Sequence, residues 1–346
     1  MTIHFNLDSL PNNRKPIIDV RSPSEYSKGH IPNAINIPLF SDDERAIIGT
    51  LYKKQGKEVA IAKGLEMVGP RLNSYINLAL DYSTEKQVIL YCWRGGKRSS
   101  SLAWLLGMAG FDVELIHGGY KAYRNFILNK FLSTKFKFII LGGRTGSGKT
   151  SILNLLKKNN EQIIDLEALA NHKGSAFGWI GEQLQPSVEH FENLLFFHLS
   201  NLNLSKRIWI ENESRSIGKV YLPAGFWDQM KNSHLIQIDV EFSSRVSNLI
   251  KVYSHENPEE LKQAFEKIKS KLGLEQYSKS LEFITNGDLI SAAAIALKYY
   301  DKCYDFGFEH REESEKNSID CHGLTEQQIV SKLIEYANQK INYGKS

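Results

Sequence analysis

The chain has 346 residues, 42% of them hydrophobic and 24% charged, an ordinary globular composition with length for about two domains of roughly 150 residues. No apolar run approaches the roughly 18 residues of a membrane span, and three scattered cysteines at 92, 303 and 321 exclude a disulfide framework and CxxC-type zinc sites. The net charge of +4 is too small to announce a polyanion partner, although residues 1–130 carry +5 and residues 131–346 carry −1. Met1 to Leu10 lacks the basic region and apolar core of a secretory signal, so a cytoplasmic protein with reduced thiols is expected.

The first half alternates strands and helices. Pro16 to Val20, Val88 to Tyr91 and Val113 to Ile116 read as buried strands, the last ended by His117-Gly118-Gly119, and Ser99 to Gly110 reads as a helix. This alternation predicts an α/β domain with a parallel sheet over residues 1–132. A second α/β unit, residues 133–346, opens with a strand at Phe136 to Leu141 that runs into a glycine-rich loop, then a helix from Ser151 to Lys158 with lysines in its last turn. Further strands are expected at Gln162 to Leu166, Arg207 to Ile210 and Leu235 to Val240. Beyond Val240 the chain reads as mostly helical. Asn257-Pro258-Glu259-Glu260 is a helix start, Leu261, Ala264, Phe265, Ile268 and Leu272 form its apolar stripe, and Lys262, Lys267, Lys269 and Lys271 occupy the other face up to Gly273.

Gly143-Arg144-Thr145-Gly146-Ser147-Gly148-Lys149-Thr150 fits G-x-x-x-x-G-K-[ST] in full, between a strand and a helix. Its glycines let backbone N–H groups surround an anion at the positive end of the helix. Lys149 would neutralise the terminal phosphates and Thr150 would ligate Mg²⁺. Such a loop reads two linked phosphates and no base, so ATP, GTP or another diphosphate ester all suit it. Downstream, Glu211 and Glu213 end an apolar strand where a magnesium-holding acid or a base would stand, and Arg215 would suit a phosphate clamp. Asn171 to Gly178 is a polar, glycine-containing loop.

Cys92 follows a strand and precedes a helix, in Cys92-Trp93-Arg94-Gly95-Gly96-Lys97-Arg98. Inward N–H groups and three cations favour a thiolate, or an anionic adduct such as a persulfide or selenide on that sulfur. Cys303 and Cys321 lack such surroundings and read as structural.

Ile18-Asp19-Val20-Arg21, Glu25-Tyr26, Gly29-His30-Ile31, the Cys92 loop and Gly118-Gly119-Tyr120 together resemble a rhodanese domain over roughly residues 12–130. The resemblance makes Asp19 and Arg21 a buried structural pair. One departure stands out: common sulfurtransferase rhodaneses place the loop's basic residue five after the cysteine, whereas here Lys97 is at five and Arg98 at six. The longer loop is similar to that of dual-specificity phosphatases, which cradle a phosphate. With the P-loop, Lys173-Gly-Ser-Ala-Phe-Gly178 and Ile210-Glu-Asn-Glu-Ser-Arg215 following in this order, nearly the whole chain resembles the bacterial tRNA 2-selenouridine synthases.

That resemblance implies replacement of sulfur by selenium in wobble 2-thiouridine. The 2-thio group is first geranylated from geranyl diphosphate, then the geranylthio group is displaced using selenophosphate. The P-loop would hold the prenyl diphosphate, with Lys149 and Arg144 on the leaving pyrophosphate and Mg²⁺ at Thr150. Cys92 would carry or position selenium, with Lys97, Arg98 and the Gly95-Gly96 amides stabilising selenide or selenophosphate. The tRNA anticodon stem-loop is the implied partner, with a selenophosphate-generating enzyme as supplier. Trp93 and Trp179 are its stacking candidates, and the lysine face of the helix after Pro258 is a candidate grip. An ATP-dependent tRNA sulfurtransferase carrying persulfide on Cys92 is the alternative, and a phosphatase coupled to a kinase-like domain the third.

Overall fold

Short apolar runs closed by glycine or capped polar residues build two parallel sheets in this computed structural model, which describes residues 3–309 and 317–341. The chain divides into two compact units. The first holds residues 1–132 together with 189–201, and the second holds 133–188 and 202–346.

In the first unit the strands are β1 (Ile3–Phe5), β2 (Ile17–Asp19), β3 (Ile35–Asn36), β4 (Gln87–Tyr91) and β5 (Asp112–Ile116). They form one five-stranded sheet in the order β1-β5-β4-β2-β3, every pair parallel. Val88 and Leu90 of β4 are buried against Leu102 and Leu106 of helix Lys97–Met108, in one cluster with Ile18, Tyr75 and Phe111. Near-continuous apolar strands are what a sheet covered on both faces requires. Helix Val188–Ser200 packs in this unit although its sequence neighbours lie in the other.

The second unit carries β6 (Phe138–Gly143), β7 (Gln162–Ile164), β8 (Ile208–Glu211), a small antiparallel pair β9 (Ser216–Ile217) and β10 (Val220–Tyr221), β11 (His234–Asp239) and β12 (Asn317–Asp320). Its main sheet runs β12-β11-β6-β8-β7, again wholly parallel. Ile152, Leu153 and Leu156 of helix Lys149–Lys158 pack with Ile329, Val330 and Leu333 of helix Glu326–Lys340 over this sheet. A separate apolar cluster joins Phe177 and Ile180 to Leu261, Phe265, Ile284 and Ala296 of the later helices.

In each unit the middle strand of the sheet, β4 or β6, leads into the motif loop. Neighbouring strands there connect in opposite directions, which opens a crevice at the carboxyl ends where ligands bind in open α/β sheets. Among the described residues no helix is long and apolar enough to cross a membrane.

Candidate functional site

The loop after β4 wraps around the sulfur of Cys92. The Gly96 N–H donates to Sγ at 3.2 Å and the Ser99 hydroxyl lies 3.2 Å from it. Helix Lys97–Met108 begins within this loop, two residues earlier than its apolar pattern suggests, with Gly96 as its cap. Gly118 and Gly119 close the loop from the other side: Tyr120 N–H donates to Cys92 O at 2.8 Å and Lys121 N–H to Trp93 O at 3.0 Å. A Cβ on Gly119 would lie 2.2 Å from Cys92 O, and its φ is +61°, so only glycine fits.

Below the loop Asp19 and Arg21 pair at 2.5 Å with side chains 0% and 1% exposed. Arg21 also donates to Gly29 O at 2.7 Å and its guanidinium lies 3.9 Å from the Tyr120 ring centroid. The pair therefore fixes Tyr120, which in turn holds the loop. Trp93 is half-buried, 5.8 Å from Tyr120 between ring centroids. Arg94 and Lys97 are exposed at the loop. Arg98, expected at the anion, instead grips Glu25 through two contacts, 2.5 and 3.3 Å. Burial opposes ionisation of Glu25, but the hydrogen bond and charge of Arg98 hold its carboxyl below its ordinary value.

In the second unit β6 extends two residues past its expected end and delivers Gly143 to the P-loop. Gly148 takes φ +78° as the helix cap, a left-handed turn that points successive N–H groups the same way. The loop is braced from helix Phe242–Tyr253: Arg245 Nε donates to Thr145 O at 2.8 Å and Asn248 Nδ2 to Gly146 O at 3.0 Å. Lys149 Nζ donates to Gly143 O at 3.0 Å, and the buried Ser147 hydroxyl has no hydrogen-bond partner.

The loop forms the polar end of a cavity of about 740 Å³. The apolar part of its lining comes mainly from the later helices, including Leu249, Phe265, Ile284 and Ala296, with Phe177 from the 171–178 loop, while Asp165, Glu167, Glu182 and Glu213 add carboxylates. Lys149, Lys173 and Lys251 are the lysines in its lining. Arg144 and Arg215 are not in that lining; Arg215 is exposed, its carbonyl accepting from Leu222 N–H at 2.8 Å beside the β9–β10 pair.

Glu213 lines the cavity, whereas Glu211 lies beneath it, 2% exposed, with Oε1 accepting from Glu167 N–H at 2.9 Å and Oε2 unpartnered. Glu167, which sequence spacing does not single out, completes the group by accepting from the Thr150 hydroxyl at 3.2 Å. Burial pushes the Glu213 carboxyl up to about 7, helped by the negative charge of Glu167. Burial likewise raises Glu167 against the pull of Lys149, and raises Glu211 well above the usual range, with Asp165 and Glu167 adding to it. Among the described residues no group of three or more His, Cys, Asp or Glu could hold a metal ion alone. The residues fit a Mg²⁺ that arrives with a diphosphate and takes Thr150 and water.

Trp179 is half-buried in the helical cluster, with Lys267 Nζ 4.5 Å from its ring centroid. Lys262 and Lys269 pair with Glu259 and Glu266 at 2.8 and 3.2 Å. Of that lysine face, Lys262, Lys267 and Lys269 each meet a neighbour on the protein, and Lys271 is exposed. Cys321 is buried and its thiol is pushed up to about 11 by that burial, as suits a structural residue; the Cys303 side chain lies outside the described residues.

Two family models match the chain: a tRNA 2-selenouridine synthase AAA domain over residues 136–287 and a rhodanese-like domain over residues 6–126. The tRNA 2-selenouridine synthase of Nitrosomonas europaea is 43% identical over 245 residues, covering 69% of this chain and 63% of that protein. That of Bdellovibrio bacteriovorus is 40% identical over 259 residues, covering 71% and 66%. That of a Sulfurovum species is 32% identical over 335 residues, covering 87% and 91%.

Proposed function

The chain belongs to the tRNA 2-selenouridine synthase family, and we propose that it converts wobble 2-thiouridine in tRNA to 2-selenouridine through an S-geranyl intermediate. The observation that carries this reading is the cavity of about 740 Å³ whose lining joins the P-loop to an apolar stretch from the later helices, Leu249, Phe265, Ile284, Leu289, Ala292 and Ala296. That volume is within the range of small-molecule sites, and the division of its lining matches an anion carrying a hydrocarbon tail.

In the first step the 2-thio sulfur attacks C1 of geranyl diphosphate, the C1–O bond breaks, and pyrophosphate leaves with that electron pair. Lys149 and the loop N–H groups meet the charge that develops on the leaving group. Thr150 would hold a Mg²⁺ on the diphosphate, where the ion supplies further charge neutralisation. The N3 proton of the nucleoside is lost as the thioether forms, and Glu213, at about 7, is matched to accept it.

In the second step selenophosphate selenium attacks C2 of the base and geranylthiolate leaves, to be protonated to the thiol. Water then cleaves the phosphorus–selenium bond, releasing phosphate and restoring the N3 proton. The Cys92 loop suits the selenophosphate anion: the Gly96 N–H and the Ser99 hydroxyl point at Sγ, and Arg94 and Lys97 stand exposed beside it. Cys92 positions the donor, and Arg98 steadies the loop through Glu25. A selenophosphate-generating enzyme would supply the donor. Trp93, half-buried beside Cys92, offers a ring face for the wobble base.

The test is separation of the steps. Cys92→Ala should abolish selenouridine and leave S-geranyl-2-thiouridine, whereas Lys149→Ala should lower geranylation at least a hundredfold, the scale of a lost charge-stabilising donor. Selenouridine formed at the normal rate by Cys92→Ala would refute the assignment of that loop. Nucleotide turnover stimulated by tRNA, with no prenylated nucleoside, would replace this reading by the ATP-dependent sulfurtransferase.

A further inference from the structure

One helix of the cavity wall measures distance from the phosphate loop. Arg245, which donates to Thr145 O at 2.8 Å, also pairs with both carboxylate oxygens of Asp301, at 3.0 and 2.5 Å. Asp301 therefore marks the level of the P-loop on helix Leu289–Glu309. At a rise of 1.5 Å per residue, Ala296 lies about 7.5 Å from that level along the axis, Ala293 about 12 Å, Ala292 about 13.5 Å and Leu289 about 18 Å. All four line the same cavity, and their spacing of three and four residues sets them on one helix face. Tyr300 lines the cavity at the level of the P-loop, and beyond it the sizes along this face run small, small, small, then large.

An isoprene unit adds four carbon–carbon bonds of about 1.5 Å to a chain, which project to about 5 Å when extended. Two units reach about 10 Å, alongside the alanines, and a third carries the chain to about 15 Å, toward Leu289. We infer that Ala292, Ala293, Ala296 and Leu289 form the ruler that sets the prenyl chain length, with the alanines admitting ten carbons and Leu289 opposing fifteen. This rests on the reading of the P-loop as a prenyl diphosphate site. A side chain projecting at Ala296 would stop the chain after its first unit, and shortening Leu289 would let it lengthen.

The experiment mixes dimethylallyl, geranyl and farnesyl diphosphates in equal amounts with the full-length protein, Mg²⁺ and a 2-thiouridine-bearing anticodon stem-loop RNA. The prenylated nucleosides are counted by mass spectrometry. Product ratios do not depend on how much of a variant is folded. Ala296→Phe should raise the five-carbon to ten-carbon ratio at least tenfold, and Leu289→Ala should raise the fifteen-carbon to ten-carbon ratio similarly, since misfit by even one methylene is worth about that factor in an apolar pocket. Ile290→Phe, on the same helix but 64% exposed, should leave both ratios unchanged. Prenyl transfer by the wild type with ratios unmoved in Ala296→Phe and Leu289→Ala would overturn the ruler alone. No transfer of any of the three by the wild type would overturn the prenyl diphosphate reading and the ruler with it.

Discussion

Asp19 and Arg21 meet almost without solvent, under a loop whose sulfur has to be held in place. Removing one partner would strand the other's charge, so Arg21→Ala should destabilise the first unit by about 3–5 kcal/mol. Urea unfolding followed at Trp93 would measure this; a loss under about 1 kcal/mol would mean that the pair is not the support described. Glu213 gives a pH signature. Its folded-state value of about 7 lies above the ordinary 4.5, so its stability contribution is whole below the ordinary value and is lost as pH rises through about 7. In metal-free protein, Glu213→Gln should therefore lessen the fall in thermal midpoint between about pH 5 and pH 8. An unchanged fall would place Glu213 in water. Cys92, Lys149 and Glu213 stand in contiguous motifs, and so were legible as residues. Glu167 was not: its meeting with Thr150 and Glu213 depends on β6, β7 and β8 lying side by side. Nor could spacing tell that Glu25 holds Arg98 or that Arg215 turns away from the cavity.

At the scale of elements, helix Val188–Ser200 is the least legible. Its amphipathic pattern says that it buries a face, and nothing local says which unit receives it. Asn193, fully buried on it, donates to Tyr120 OH at 2.7 Å and His30 O at 2.8 Å, while Arg124 reaches Asn193, Glu189 O and Glu192. Asn193→Ala should cost about 1–3 kcal/mol, because it leaves buried groups unpaired. Hydrogen exchange should show this helix and the first turns of helix Gly119–Ser133 losing protection together; loss confined to helix Val188–Ser200 would contradict their coupling. The strands leading into both motif loops were legible because they are apolar and end in glycine-rich turns. Strands β1 and β12 were not, being short edge strands with few apolar residues. Helix Asp42–Lys54 had a signal, the Ser41 and Glu44 capping box, which lies outside the apolar patterns used to find helices.

The two units each set a motif loop on the middle strand of a parallel sheet, and the second joins its loop to a cavity with an apolar stretch. The sheets were legible from alternation and motif order. The cavity was not, because its wall gathers residues from the 171–178 loop and four later helices, each of which reads in isolation as ordinary core. The proposal that this cavity takes a prenyl diphosphate is the central claim. The most direct measurement is nucleoside mass spectrometry on 2-thiouridine-bearing tRNA incubated with the purified protein, geranyl diphosphate and Mg²⁺, with and without selenophosphate. The expected result is S-geranyl-2-thiouridine in the first tube and 2-selenouridine in the second. Unchanged 2-thiouridine in both, with the protein folded and tRNA bound, would contradict the claim.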